Sequence, residues 1–193
     1  MDVELILKNI SRHIQLNEKE VEYFTSLLTE RKIKRKEFLL KEGEINTHES
    51  FITKGCLRNY TIDEKGVEHI IVFSIEDWWT SDLYSFLTQT PATFNIDALE
   101  DTEVLQISKI NLEKLFENVP SFERFFRIMF QKAFIAQQKR ISDNLSLSAE
   151  ERYDFFVAKY PQIEQRVPQK QVAAYLGITP EFLSMLRKKK TGR

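Results

Sequence analysis

The sequence predicts an α+β protein: an antiparallel β domain, then one long helix, then a small helical module at the C-terminus. Three observations carry this. Between Ile33 and Ile107 short β-type runs alternate with turn residues, and after Phe122 apolar residues recur at helical spacing. The stretch from Val167 to Arg193 then carries a helix-turn-helix pattern and a dense block of positive charge.

Taken in order, residues 2–31 have a helical apolar pattern, with Val3, Ile6, Leu7 and Ile10 followed by Val21, Phe24, Leu27 and Leu28. Asn17 and Glu20 have the spacing of a capping box that starts the second helix. The β-type runs are Glu37–Lys41, Ser50–Thr53, Leu57–Ile62, Val67–Phe73, Phe94–Leu99 and Val104–Ile107. Glu42-Gly43, Lys54-Gly55 and Asp63-Glu64-Lys65-Gly66 supply turns, the last a strong hairpin signal. Many short strands at this spacing point to an antiparallel sandwich or barrel.

After Ser108 the helical period returns. Leu112, Leu115 and Phe116 predict a short helix ending near Pro120. Phe122, Phe126, Met129, Ala133 and Ala136 then follow at spacings of 4, 3, 4 and 3, the a/d pattern of a coiled coil. Phe125, Ile128, Phe130, Phe134 and Ile135 widen the apolar arc. A helix reaching Leu145 would be roughly 40 Å long. Two apolar faces imply two surfaces to cover, one on the β domain and one on a partner. Ser148 and Glu151 form a second capping box, for a helix over Ala149–Lys159 that Tyr160-Pro161 ends.

In the C-terminal module a first helix runs from Pro168 to about Leu176, and Gly177 stops it where a positive φ is cheap only for glycine. Thr179 caps a second helix with Pro180 at its first position. Val172, Ala173, Leu176, Ile178, Leu183 and Leu186 form the apolar set, with small Ala173 letting the helices approach. Residues 166–193 hold seven cations against the one acid Glu181, so with a whole-chain net of −1 the first 165 residues carry −7. A basic block on an acidic protein is the footprint of phosphate contacts.

With 193 residues and 42% hydrophobic content the chain can bury a proper core, and its 15 Phe need room there. No apolar run approaches bilayer length and the N-terminus lacks a signal-peptide layout, so a cytoplasmic location is expected. The single cysteine, Cys56, can form neither an internal disulfide nor an iron–sulfur site. His13, His48 and His69 show no metal-ligand spacing, and no nucleophile–base arrangement stands out. Neither an enzyme nor a bound cofactor is expected.

In this order of parts, and in Phe51-Ile52-Thr53-Lys54-Gly55-Cys56-Leu57-Arg58, which is similar to a "YIxxGxhR" hairpin, the chain resembles the cyclic-AMP receptor/FNR (Crp/Fnr) family of transcription regulators. The resemblance implies a cyclic-nucleotide-binding-like jelly roll over 1–117, a dimerisation helix over 118–146 and a helix-turn-helix DNA-binding domain over 147–193. It implies double-stranded DNA, a second copy of the chain, a small-molecule effector and RNA polymerase as partners, and no membrane. Phe122, Phe126, Met129, Ala133 and Ala136 would make the dimer seam.

The departures narrow this. Where cyclic-nucleotide binders carry Gly-Glu-Leu and then Arg-Ser/Thr, this chain has Ser81-Asp82-Leu83 and Ala92-Thr93. Without the arginine a cyclic phosphate loses its bidentate partner, so an effector other than cAMP is expected. Its pocket would involve Trp79, Ser81, Asp82, Leu83, Ala92 and Thr93; Trp78 and Trp79 stand either near the entrance or in a core. The family's β-hairpin wing is expected to be absent, because the sequence stops at Arg193. On the DNA side, Glu181 and Ser184 would read bases, while Gln169, Lys170, Thr179, Arg187 and Lys188 would contact phosphates. Pro180 and Met185 replace flanking family arginines, so the target sequence should differ. The competing reading is a ligand or interaction module with degenerate DNA binding.

Overall fold

The computed structural model describes residues 2–191, apart from the side chains of Lys190 and Thr191. The expected lack of a wing therefore falls outside the described residues. Two helices, α1 (Glu4–Ser11) and α2 (Glu18–Ser26), precede eight strands: β1 (Leu28–Ile33), β2 (Phe38–Leu40), β3 (His48–Lys54), β4 (Cys56–Ile62), β5 (Glu68–Ile75), β6 (Trp79–Thr80), β7 (Asn95–Ala98) and β8 (Thr102–Ser108). A short helix, α3 (Leu83–Thr88), lies between β6 and β7. The strands form two antiparallel four-stranded sheets, ordered β1-β8-β3-β6 and β2-β7-β4-β5, which face each other as a jelly roll.

The β4–β5 hairpin closes on Asp63, whose carboxylate accepts from the N–H groups of Lys65 and Val67, both at 2.9 Å. Gly55 turns β3 into β4 at φ +102°, and a Cβ there would collide with Thr102 on β8. One boundary differs from the sequence expectation. The helical pattern through Leu27 and Leu28 breaks at Ser26, and Leu28 instead opens β1 opposite Ile107. Leu27-Leu28 fits either period, and pairing with β8 decides the matter. Strand β6 and helix α3 carry too few residues to show a period.

The jelly-roll interior is apolar around Ile33, Leu40, Ile52, Leu57, Ile96 and Val104. A second core lies outside the β1-β8-β3-β6 sheet, under the helical layer, and takes up most of the fully buried phenylalanines. There Phe24 stacks on Phe122 at 4.8 Å, and Phe51, Phe125 and Phe126 surround Trp79. Each buried Phe contributes roughly 2 kcal/mol of transfer free energy, so this layer anchors the helices firmly to the sheet.

Helix α4 (Lys109–Asn118) leads into the long α5 (Ser121–Ser146). The expected dimer seam needs correction at its first two positions: Phe122 and Phe126 are buried in the chain's own core. The a/d spacing reports an apolar face without saying which turns meet the chain's own sheet. Met129 is half-buried, while Ala133 and Ala136 are exposed. The uncovered apolar surface of α5 is formed by Phe134, Ile135, Ile141 and Leu145, the last 85% exposed. Next to it lies a groove lined by Phe116, Phe126, Phe130 and Phe134.

Four more helices complete the chain: α6 (Ala149–Lys159), α7 (Pro161–Arg166), α8 (Gln169–Leu176) and α9 (Pro180–Thr191). Both expected capping boxes, at Asn17/Glu20 and Ser148/Glu151, are formed. The third apolar cluster joins this helical module to the outer face of β4 and β5. Cys56, Tyr60, Ile70 and Phe73 meet Phe156, Val167, Val172 and Leu176 there.

Candidate nucleic-acid interface

The α8–α9 unit is built as its sequence dictates. Gly177 takes φ +67° after α8, its N–H donates to the Ala173 and Ala174 carbonyls, and Ile178 donates back to the Ala173 carbonyl at 3.0 Å, closing the helix end. Thr179 Oγ1 accepts from the Phe182 N–H at 3.2 Å, capping α9. Ala173 and Leu183 are completely buried where the helices cross, with Val172, Leu176 and Leu186 around them.

This packing turns the opposite side of α9 outward. Glu181, Phe182, Met185 and Lys188 are exposed, Ser184 is half-buried, and Gln169, Lys170 and Thr179 are exposed nearby. These include six of the seven expected DNA-contacting residues, all exposed or half-buried. Arg187 does not fit its expected role. Its guanidinium is half-buried and turns back to Glu164 at 2.9 Å. Arg166 and Lys189 of the basic block are likewise paired, with Glu76 at 2.7 Å and Glu150 at 3.0 Å. Phe182 and Met185, given no contact role from sequence, present apolar surface beside Glu181 and Ser184. Apolar residue types on an amphipathic helix give no sequence signal of exposure.

The module is pinned to the jelly roll by two arginines. Arg58 on β4 makes a bidentate pair with Asp97 (2.7 and 2.9 Å) and a second with Glu68 (2.6 and 3.1 Å). Its Nη1 also donates to Gln171 Oε1 of α8 at 2.6 Å, and its guanidinium lies 4.0 Å from the Tyr60 ring centre. Burial opposes the Arg58 charge, but the two carboxylates outweigh it and raise its pKa. In return, Arg58 holds the Glu68 carboxyl below the ordinary range. The second pin, Arg166, reaches both Glu76 and Glu100.

The residues expected around an effector behave differently. Asp82 is fully buried; its two oxygens accept from the Ser85 and Thr93 N–H groups, each at 3.0 Å. It caps α3 and ties that helix to the segment before β7, so it does not point at open space. Ser81 Oγ donates to the buried Glu49 at 2.8 Å, and burial pushes the Glu49 carboxyl up to about 7. Ala92 is buried, Leu83 half-buried and Thr93 exposed. Trp79 belongs to the core under the helices and Trp78 packs edge-on against Tyr160, so neither guards a barrel mouth. Sequence reading missed a buried polar cluster of four strand residues. In it Gln106 donates to Ser50 at 3.0 Å and Thr80 to Asn59 at 3.3 Å.

Residues 30–119 match the family model of the cyclic nucleotide-binding domain. The anaerobic regulatory protein of Haemophilus influenzae is 25% identical over 185 residues, spanning 89% of this chain and 70% of that protein. The transcriptional activator protein Anr of Pseudomonas aeruginosa is 26% identical over 169 residues, spanning 80% and 67%. Over most of its length the chain is similar to regulators of the Crp/Fnr type. The fold is also that of FixK2 from Bradyrhizobium japonicum, with a TM-score of 0.73, 19% identity and 86% of each chain covered. The homologues of this chain are transcription regulators. No described helix is long and apolar enough to cross a membrane.

Proposed function

We propose that this protein is a dimeric, sequence-specific DNA-binding transcription regulator governed by an effector other than cAMP. The observation that carries this reading is the α8–α9 unit, with its buried crossing and its outward row of Glu181, Ser184, Met185 and Lys188. Residues 1–117 serve as sensor, 118–146 as dimerisation helix and 147–193 as DNA-binding module. Glu181 and Ser184 read base edges, Met185 and Phe182 offer apolar contact to thymine methyls, and Gln169, Lys170, Thr179 and Lys188 hold phosphates. Phe134, Ile141 and Leu145 supply the dimer seam, which places two recognition helices about 34 Å apart over successive major grooves. The polar cluster of Ser50, Asn59, Thr80 and Gln106 is the part of the barrel that suits a hydrogen-bonding effector. RNA polymerase is the further partner.

A salt-titrated mobility-shift selection on genomic fragments tests the reading. Specific retention of a pseudo-palindromic site at about 0.1 M salt is the expected result, since non-specific binding weakens there. Loss of retention in Glu181→Ala, with the fold intact, supports base reading; no retained fragment at all overturns the proposal. Calorimetry with cAMP and cGMP should show no micromolar affinity.

A further inference from the structure

Met185 departs from the apolar pattern of α9. Leu183 and Leu186 are buried, whereas Met185 is 55% exposed. A methionine left in water forgoes the transfer free energy that its apolar neighbours gain. Met129 is half-buried, so Met185 is the one exposed methionine among the described residues. Helical spacing fixes where its side chain lies. Glu181, Met185 and Lys188 stand at i, i+4 and i+7 on one face of α9, turned away from Leu183 and Leu186. Phe182, three residues before Met185 and also exposed, widens the apolar spot.

The residues around Met185 restrict what this face can read. The N-terminal residues of a recognition helix are those that contact base edges. From Thr179 to Met185 the chain holds no arginine or lysine, and Arg187 is turned to Glu164 at 2.9 Å. Guanine presents two acceptors in the major groove and is read by a cation that donates to both. The Glu181 carboxylate only accepts, which suits the amino group of cytosine or adenine. Met185 carries no donor and only a weak sulfur acceptor. The group on a base edge that complements it is the C5-methyl, which among the four bases only thymine carries.

We infer that Met185 reads the 5-methyl group itself, so that each half-site has a position where thymine or 5-methylcytosine binds better than an unmethylated pyrimidine. The inference rests on the reading of α9 as a DNA recognition helix and adds the chemical group that this helix selects. A thioether is apolar, polarisable and flexible, so it covers a methyl without regard to the hydrogen-bonding groups beside it. Thymine and 5-methylcytosine differ in those groups and share the methyl. The same contact therefore makes DNA binding responsive to cytosine C5-methylation.

The test uses the full chain and synthetic duplexes of the site retained in the mobility-shift selection, with each thymine replaced singly by deoxyuridine. One thymine in each half-site should show a loss of about fourfold, the worth of one buried methyl-sized group. At that position cytosine should bind weakly and 5-methylcytosine should recover about fourfold. Met185→Ala should bind the thymine and uracil duplexes equally, near the wild-type affinity for uracil. Met185→Leu, which stays apolar, should keep the preference, and Met185→Arg should shift it to guanine. Circular dichroism should be the same for all three variants, because the side chain lies outside the core. A retained site with no uracil-sensitive thymine, a uracil penalty that survives Met185→Ala, or no gain from 5-methylcytosine overturns this inference and leaves the regulator reading standing. Retention of no specific fragment overturns both.

Discussion

Removing Arg58 should destabilise the protein far more than removing the residue it touches across the domain boundary. In Arg58→Met the Asp97 carboxylate, whose side chain is only 10% exposed, keeps its burial and loses both hydrogen bonds of its fork. Breaking a buried pair from one side typically costs about 3–5 kcal/mol, because the remaining charge stays uncompensated. The Glu68 pair is 31% exposed on the carboxylate side, so solvent screening limits its share to about 1 kcal/mol. Together these give a loss of about 4 kcal/mol. Gln171→Ala, by contrast, removes two partly exposed hydrogen bonds, one from Arg58 and a longer one to Glu68, and leaves the carboxylates paired with Arg58, for about 1–2 kcal/mol. Arg58→Lys should fall between, keeping the charge without the planar fork. Urea unfolding at pH 7, followed by Trp78 at the domain boundary and by far-ultraviolet circular dichroism, measures all three. A loss under about 1 kcal/mol in Arg58→Met, or an equal loss in Gln171→Ala, would refute the assignment of Arg58 as the main electrostatic pin.

Other perturbations follow the same reasoning. Glu49→Gln should stabilise the protein at pH 8 and much less at pH 5. The folded carboxyl titrates at about 7, above the ordinary 4.5, so stability falls as pH rises between those values. The full shift corresponds to about 3 kcal/mol as an upper bound, and equal melting-temperature changes at both pH values would contradict it. Gly55→Ala forces a side chain into positive φ and into Thr102, so a loss of about 2 kcal/mol or more by urea unfolding is expected; a neutral result would contradict the turn geometry. Acidification should loosen the helical module. Glu68 is held low chiefly by Arg58; Glu76 is pushed up by burial but held low by Arg166 and the Gly55 N–H. Their contribution is present above the unfolded value near 4.5 and lost as pH falls through the lower folded values. Trp78 fluorescence should change below about pH 4 before far-ultraviolet signal is lost, and simultaneous loss would contradict this order.

Much of this architecture was legible because its signals are local. Capping boxes, the Asp63–Gly66 turn and the Gly177–Thr179 break are short-range chemistry, and the matching elements occur where those residues sit. What was not legible depends on contacts distant in sequence. Leu28 joined a strand because Ile107 lies beside it, and Phe122 and Phe126 entered the core because α5 begins on the sheet. The same holds for the site residues. The outward side of α9 follows from helical periodicity, yet nothing near Arg187 in sequence announces Glu164. Asp82 has the residue type of a ribose acceptor, but the N–H groups of Ser85 and Thr93 reach it first. Ser50, Asn59, Thr80 and Gln106 come from four strands, and only the closed roll brings them together.

Cys56 lies on the face of β4 that the helical module covers, within the apolar cluster that joins the two, and it is 1% exposed. Burial raises its thiol to about 12, which leaves almost no thiolate while the domains are docked. The rate at which a neutral alkylating reagent consumes this lone sulfhydryl therefore counts excursions in which the module swings away from the sheet. The molecule carries its own clock for domain separation, readable by mass spectrometry without any introduced label. Slowing of that clock by DNA or by a small molecule would show which domain arrangement each one selects.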